Sequence, residues 1–199
     1  MGRCEEGRGR GRDTAAPKEV RRPRPRALTS LRHLGVDTID LFQLHRVDPQ
    51  IRLADQIGEL KDLQDEGVIR HIGMSEVTAA QLEEAGRTAR IVSVQNLYNL
   101  ADRDAEPVLR YAERNGLAFI PWFPLATGEL AKPGGPLDAI AKEHGASPSQ
   151  LALAWLLRRS PAMLPIPGTS SVAHLEENIA AASVGLSDAD VEALTAAVG

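Results

Sequence analysis

Five positions in this 199-residue chain put polar or aromatic chemistry directly after a short apolar run. His45-Arg46 closes Ile39-Asp40-Leu41-Phe42-Gln43-Leu44, Ser75-Glu76 follows Val68 to Met74, and Gln95-Asn96 ends the run opening at Ile91. Trp122 ends Leu117 to Trp122, and the run opening at Met163 leads into Pro167-Gly168-Thr169-Ser170. An imidazole delivered to a strand end can hydrogen-bond or exchange a proton near neutral pH. Gly168-Thr169-Ser170-Ser171 precedes helical spacing from Val172 to Ala182, which sets free backbone amides and hydroxyls at a positive helix end, the physics of a phosphate site. Trp122, beside Pro121 and Pro124, reads as a pocket wall, whereas Trp155 within Leu151 to Leu157 reads as core.

Residues placed this way need strands beneath them and helices between. Apolar runs open near Ile39, Ile69, Ile91, Ala118 and Met163, and apolar residues at helical spacing fill the intervals. That alternation predicts an α/β chain of about five βα units with a parallel sheet, followed by a last helix over Asp188 to Val198 that turns Val191 and Leu194 inward. Leu53, Ile57, Leu60 and Leu63 form one helical stripe, with Gly67 as a left-handed stop. Thr78 with Gln81, Ser147 with Gln150 and Ser187 with Asp190 fit capping boxes; Pro148 suits a first helical position, and Gly116 ends a helix over Glu106 to Asn115. If the sheet curls into a βα barrel, all five positions stand on the carboxyl-end rim, where ligands bind because only the βα loops are free to vary.

Composition narrows the class. A hydrophobic content of 43% over 199 residues suffices for one globular domain. No segment approaches the apolar length of a membrane span. The amino terminus has Arg and Gly where a secretory signal has an apolar core, no Asn-x-Ser/Thr site occurs, and Cys4 is the one cysteine, so a cytoplasmic location is expected. Charge divides unevenly: residues 1–26 hold eight Arg, one Lys and four acids, for +5, leaving −9 of the net −4 on the remainder. The Arg-Gly alternation Gly7 to Arg12 and Arg22-Pro23-Arg24-Pro25-Arg26 predict a disordered tail over 1–27, ahead of a folded domain at 28–199. A solvated extension is preferred to the alternative, an arm contacting single-stranded RNA.

Four stretches in order resemble the aldo-keto reductase family. They are Ser30-Leu31-Arg32-His33-Leu34-Gly35-Val36-Asp37, Asp40-Leu41-Phe42-Gln43-Leu44-His45, Val94-Gln95-Asn96-Leu97-Tyr98-Asn99 and Ile166-Pro167-Gly168-Thr169-Ser170, similar to the family's third helix and its fourth, sixth and eighth strands. The resemblance covers about residues 28–199 and implies a (β/α)₈ barrel of TIM type that reduces aldehydes and ketones with NADPH. Neither Gly-x-Gly-x-x-Gly nor a Walker sequence is present to compete with it. The runs Phe119 to Leu125 and Pro167 to Leu175 look like a bacterial branch that includes pyridoxal reductases.

The resemblance implies roles. His45 matches the histidine that orients the substrate carbonyl, in a tetrad whose other members are a tyrosine acid, a lysine and an aspartate. Those three belong to βα segments upstream of the match, and Tyr98 and Tyr111 match neither the acid nor its place. The expectation is a partial barrel of five βα units, inactive by itself, with two open sheet edges that could self-associate. Ser75 and Gln95 match contacts to the nicotinamide carboxamide, where Glu76 replaces a common asparagine, and Trp122 matches an aromatic ring stacked on the nicotinamide. Gly128 and Leu130 resemble pyrophosphate contacts. Gly168, Thr169 and Ser170 match the phosphate loop, Thr169 and His174 would meet a 2′-phosphate, and Glu177 and Asn178 match adenine contacts. NADP is therefore expected over NAD, with a small carbonyl substrate. The competing expectation is a silent NADP-binding or partner-binding protein whose basic tail touches nucleic acid.

Overall fold

Strands form where β-branched and other apolar residues run without interruption, and here such runs are covered by helices on one side. In the computed structural model, residues 23–126 and 134–198 are described. The order is α1 (Pro23–Leu34), β1 (Ile39–Leu44), α2 (Leu53–Asp65), β2 (Ile69–Ser75), α3 (Ala79–Gly86), β3 (Ile91–Leu97), α4 (Glu106–Asn115) and β4 (Ala118–Trp122). It continues with α5 (Asp138–Glu143), α6 (Pro148–Arg159), α7 (Val172–Ala180), a 3₁₀ turn (Ala181–Ser183) and α8 (Asp188–Ala197). The four strands are parallel and lie in chain order, β1-β2-β3-β4.

The fifth expected strand is reduced to one rung. Met163 pairs in parallel with Phe119, through Phe119 N–H to the Ala162 carbonyl and Leu164 N–H to the Phe119 carbonyl, both 2.8 Å. Pro161, Pro165 and Pro167 flank that rung, and proline has no N–H to extend a ladder. The predicted tail is also too long: residues 23–27 belong to α1, and Ala27 is fully buried. Arg24 ties that helix to α2, its backbone N–H reaching Glu59 at 3.1 Å and its guanidinium gripping both oxygens of Glu66 at 2.6 and 2.7 Å. Residues 1–22 lie outside the described residues, and with them the rest of the expected tail.

The local signals hold closely. All three capping boxes form, at Thr78, Ser147 and Ser187. Gly116 and Gly67 take the left-handed backbone expected of helix stops, with φ of 66° and 77°. The stripe Leu53, Ile57, Leu60 and Leu63 is buried. Strand register makes two rows of opposite character, because successive side chains point to opposite faces. Leu44, Met74, Val94 and Phe119 form one row and join the core. Gln43, Gly73 and Ser93 form the neighbouring row on the other face. Behind the core row, Trp155 stacks on Tyr98 (6.0 Å, 18°) and Tyr98 meets Phe119 edge-on (5.6 Å, 80°). Trp155 is thus core, as expected, and its indole N–H donates to Thr195 of α8 at 2.9 Å.

Candidate functional site

Parallel strands in chain order deliver their carboxyl ends to one rim, so the motif residues converge. Ser75 is the last residue of β2 and lies in register with Gln95 of β3. Trp122 is the last residue of β4 and pairs with Leu97. His45 follows β1 and is exposed. The single rung at Met163 runs parallel to β4, so the chain from Leu164 to Ser171 rises toward the same rim.

Two of these groups are free to hold a ligand. Gln95 Oε1 accepts from Gln43 Nε2 at 3.3 Å, which orients the amide and leaves its Nε2 without a protein partner among the described residues. The Ser75 hydroxyl, on a residue only 4% exposed, also has none among them. Side by side, they are two donors suited to a carbonyl oxygen. Deeper on the same face, Gln43 Oε1 and Ser93 Oγ are buried without a partner among the described residues.

Glu76 links the strand ends. Its backbone is left-handed at φ 54°, a conformation that costs a non-glycine residue roughly 1–3 kcal/mol. What offsets that strain is visible: the Glu76 N–H donates to the Gln95 carbonyl at 2.9 Å, and its Oε1 accepts from Leu97 N–H at 3.0 Å and from the Trp122 indole N–H. Its Oε2 lies 3.8 Å from Arg46. The Trp122 ring is thereby held at its polar edge, while Phe123 meets it edge-on at 5.1 Å.

Other motif residues turn out to be scaffolding. Asn96 is buried and pairs with Val77 in both directions, at 2.9 and 3.2 Å. Asn99 accepts from Ala101 and Asp102 N–H, both at 2.9 Å, and donates to the Phe123 carbonyl at 3.0 Å. Tyr98 is fully buried and its hydroxyl donates to Glu106 at 2.7 Å. Burial first, and the Glu106 carboxylate next, push that phenol well above the ordinary tyrosine range, and its proton is engaged by Glu106. Tyr111 belongs to α4, away from the strand ends.

The second half of the expected site lies at α7. Gly168, Thr169, Ser170 and His174 are exposed. Thr169 Oγ1 accepts from Ser171 N–H at 3.1 Å, and Ser171 caps α7 by accepting from His174 N–H at 3.4 Å. Glu177 ties α7 to α6: its carboxylate accepts from the Ser147 hydroxyl and its carbonyl from Gln150 Nε2 at 3.2 Å. Asn178 lines an apolar cleft of about 550 Å³ with Leu157, Ile166 and Ile179. Gly128 and Leu130 lie outside the described residues. Sequence reasoning found Glu76 as a strand-end residue and as a departure from the family's asparagine; its grip on Trp122 spans 46 positions and left no local signal.

Among the described residues no helix is long and apolar enough to cross a membrane, and no cluster of His, Cys, Asp and Glu could hold a metal ion. The aldo/keto reductase family model matches residues 13–198. An uncharacterized oxidoreductase, C215.11c of Schizosaccharomyces pombe, is 55% identical over 172 residues, which cover 86% of this chain and 55% of that protein. Pyridoxine 4-dehydrogenase of Escherichia coli is 41% identical over 170 residues, covering 80% of this chain and 57% of that one. The chain thus spans little more than half the length of these curated relatives. Among solved structures, a thermostable aldo-keto reductase, Tm1743, in complex with the inhibitor epalrestat superposes with a TM-score of 0.80 at 33% identity, covering 86% of this chain and 64% of that one. An aldo-keto reductase from Klebsiella pneumoniae in complex with NADPH gives 0.75 at 31% identity, covering 84% and 61%.

Proposed function

This chain belongs to the aldo/keto reductase family, and from that premise we propose that its strand-end rim holds the nicotinamide end of NADP for reduction of a small carbonyl compound. The observation that carries the reading is a pair of donors without a partner among the described residues, the Ser75 hydroxyl and Gln95 Nε2, in register beside a tryptophan pinned by Glu76. Together they fit a carboxamide that must be fixed with one ring face against an aromatic wall. When bound, the cofactor supplies the hydride.

The chain's own residues do the rest. Ser75 and Gln95 donate to the carboxamide oxygen, Trp122 excludes water from one ring face, and His45 stands exposed at the end of β1 to hydrogen-bond a substrate oxygen as charge develops on it. Gly168 to Ser170 and His174 hold phosphate charge at the amino end of α7. Glu177, whose carboxylate also ties α7 to α6, and Asn178 follow on the same helix for the adenine end. Of the NADP-bound relatives, one from Klebsiella pneumoniae is a complex with NADP and acetate, which supports the choice of dinucleotide. Likeness to pyridoxine 4-dehydrogenase supports a small aromatic aldehyde as substrate.

Among the described residues no tyrosine stands at the rim to serve as the proton donor. The sequence has two tyrosines, one locked on Glu106 and one on α4. These residues by themselves bind the dinucleotide and turn it over poorly, because a missing general acid removes roughly 10²–10⁴ of rate. Fluorescence titration with NADPH and an assay of its oxidation with pyridoxal test both halves. Saturable quenching with negligible turnover is the expected result; absence of quenching overturns the cofactor assignment, and brisk turnover overturns the account of the acid.

A further inference from the structure

Helix α7 packs on α6 and on the 3₁₀ turn, yet none of its residues is buried. Val172, Leu175 and Ile179 fall at helical spacing on one stripe, and they are 72%, 49% and 65% exposed. Leu175 and Ile179 continue into the apolar cleft of about 550 Å³, where Leu157, Leu164 and Ile166 are exposed as well. Asn178 is the one polar side chain among its described lining residues. A contiguous apolar surface of this kind marks an interaction site. Another strand cannot cover it, because Pro161, Pro165 and Pro167 leave the rung at Met163 without ladder donors. Its cover must dock by side chains.

We infer that this face is the seat of α1 from a second copy of the chain. The two helices are opposite in charge: α1 holds Arg24, Arg26, Arg32 and His33 and no acid, whereas α7 holds Glu176 and Glu177 and neither Lys nor Arg. Beside that charge Leu28 of α1, Leu34, Val36 and Leu41 of β1 are exposed. Arg32 stands one turn after Leu28, and Glu176 one turn after Val172, so each apolar surface has a charge at its border, of opposite sign. Glu176 has no partner among the described residues, and Arg32 touches Thr29 of its own helix. Within one chain α1 packs at the β1 end of the sheet and α7 beyond β4, with four strands between them, so each finds its match in another copy. Two copies related by a two-fold axis make the contact twice and close the assembly. Strand pairing at β1 is opposed by Asp40, an exposed charge on that edge held by Arg70. His174 lies on a different side of α7 from the stripe, which leaves the phosphate end open.

Sedimentation equilibrium and light scattering on the full chain should show a reversible monomer–dimer equilibrium in the micromolar range. Ile179→Asp puts a charge into the stripe at an exposed position and should hold the chain as a monomer, with circular dichroism unchanged. Glu176→Arg and Arg32→Glu each set like charges against one another at both contacts, and each should weaken the dimer by about tenfold or more. Mixed in equal amounts, these two variants place every altered helix against its complement, so the mixture should dimerise as the wild type does. A wild type that stays monomeric at every concentration overturns the inference and leaves the face to a different partner. A dimer left intact by Ile179→Asp, or by either charge variant alone, shows that α1 is not seated on α7 and overturns it too. Failure of the mixture to recover the dimer does the same. Masses beyond the dimer that Ile179→Asp abolishes and mixing restores keep the seat and overturn the two-fold closure.

Discussion

On the helix-covered side of the sheet, the row Leu44, Met74, Val94 and Phe119 backs onto Tyr98 and Trp155, whose hydroxyl and indole N–H both find partners. On the other side, the row Gln43, Gly73 and Ser93 carries two buried oxygens that find none among the described residues. The first arrangement is what stability requires, since a buried polar group without a partner costs roughly 1–3 kcal/mol. The second accepts that cost, and it lies one level below Ser75 and Gln95. The helix side holds the chain together and the rim side is left with unspent hydrogen-bonding capacity.

The largest expected effect tests the helix side. Trp155→Ala empties the centre of a stack against Tyr98 and frees the Thr195 hydroxyl; it should cost about 3–5 kcal/mol in urea unfolding. Ser93→Ala should be neutral or slightly stabilising in the same experiment, because the hydroxyl it removes has no partner among the described residues. If both cost the same, the two faces are not different materials.

Gly73→Ala comes next, and it tests why the row on the rim side contains a glycine. A Cβ there would meet Ser93 Oγ at 2.3 Å and Gln43 Cγ at 2.9 Å, so overpacking of about 1–3 kcal/mol is expected. Adding Ser93→Ala removes the closer of the two obstacles and should recover part of that loss. Additive single and double variants, measured as a cycle, would show that the crowding lies elsewhere.

These two faces were not equally legible in the sequence. Helix stops and caps depend on residues within one turn of one another, which is why Thr78, Ser147, Ser187, Gly67 and Gly116 all behave as their local patterns require. Four strands were visible as apolar runs, whereas the fifth was misjudged because apolarity at Met163 to Ile166 survives while its prolines remove the ladder donors. The start of α1 was hidden by arginines and prolines, which read as disorder until Glu59 and Glu66, 35 and 42 positions away, supplied partners for Arg24. At the rim, motif residues were found but their division of labour was not: Asn96, Asn99 and Glu177 are structural ties, and only the three-dimensional arrangement shows it.

Tyr98→Phe probes how the helix side responds to pH. The hydroxyl gives its proton to the Glu106 carboxylate, and its loss should cost about 1.5 kcal/mol near neutral pH. The folded phenol ionises well above the ordinary value near 10. A raised value means that the folded chain keeps a proton the unfolded chain gives up. The stabilisation is therefore complete below pH 10 and drains away as pH rises from there toward the folded value. Wild type should lose stability steeply in that window, and Tyr98→Phe should lose less of it, so that the two converge. Parallel curves in alkaline urea titrations would mean that Tyr98 is not the group responsible.

Thr78→Ala is the smallest change and acts where the two regions meet, at the turn that carries Glu76 from β2 into α3. The threonine caps α3 by accepting from Gln81 N–H at 3.2 Å while Gln81 answers to the Thr78 N–H at 2.9 Å. Its loss should cost about 1 kcal/mol, as for other capping hydroxyls. Glu76 itself is held from the other direction, by Gln95, Leu97 and Trp122, so the cap should contribute to stability without setting the rim. The expected result is a lower unfolding midpoint with an unmoved Trp122 indole resonance. A resonance that shifts with the cap would show that α3, rather than the neighbouring strands, positions Glu76.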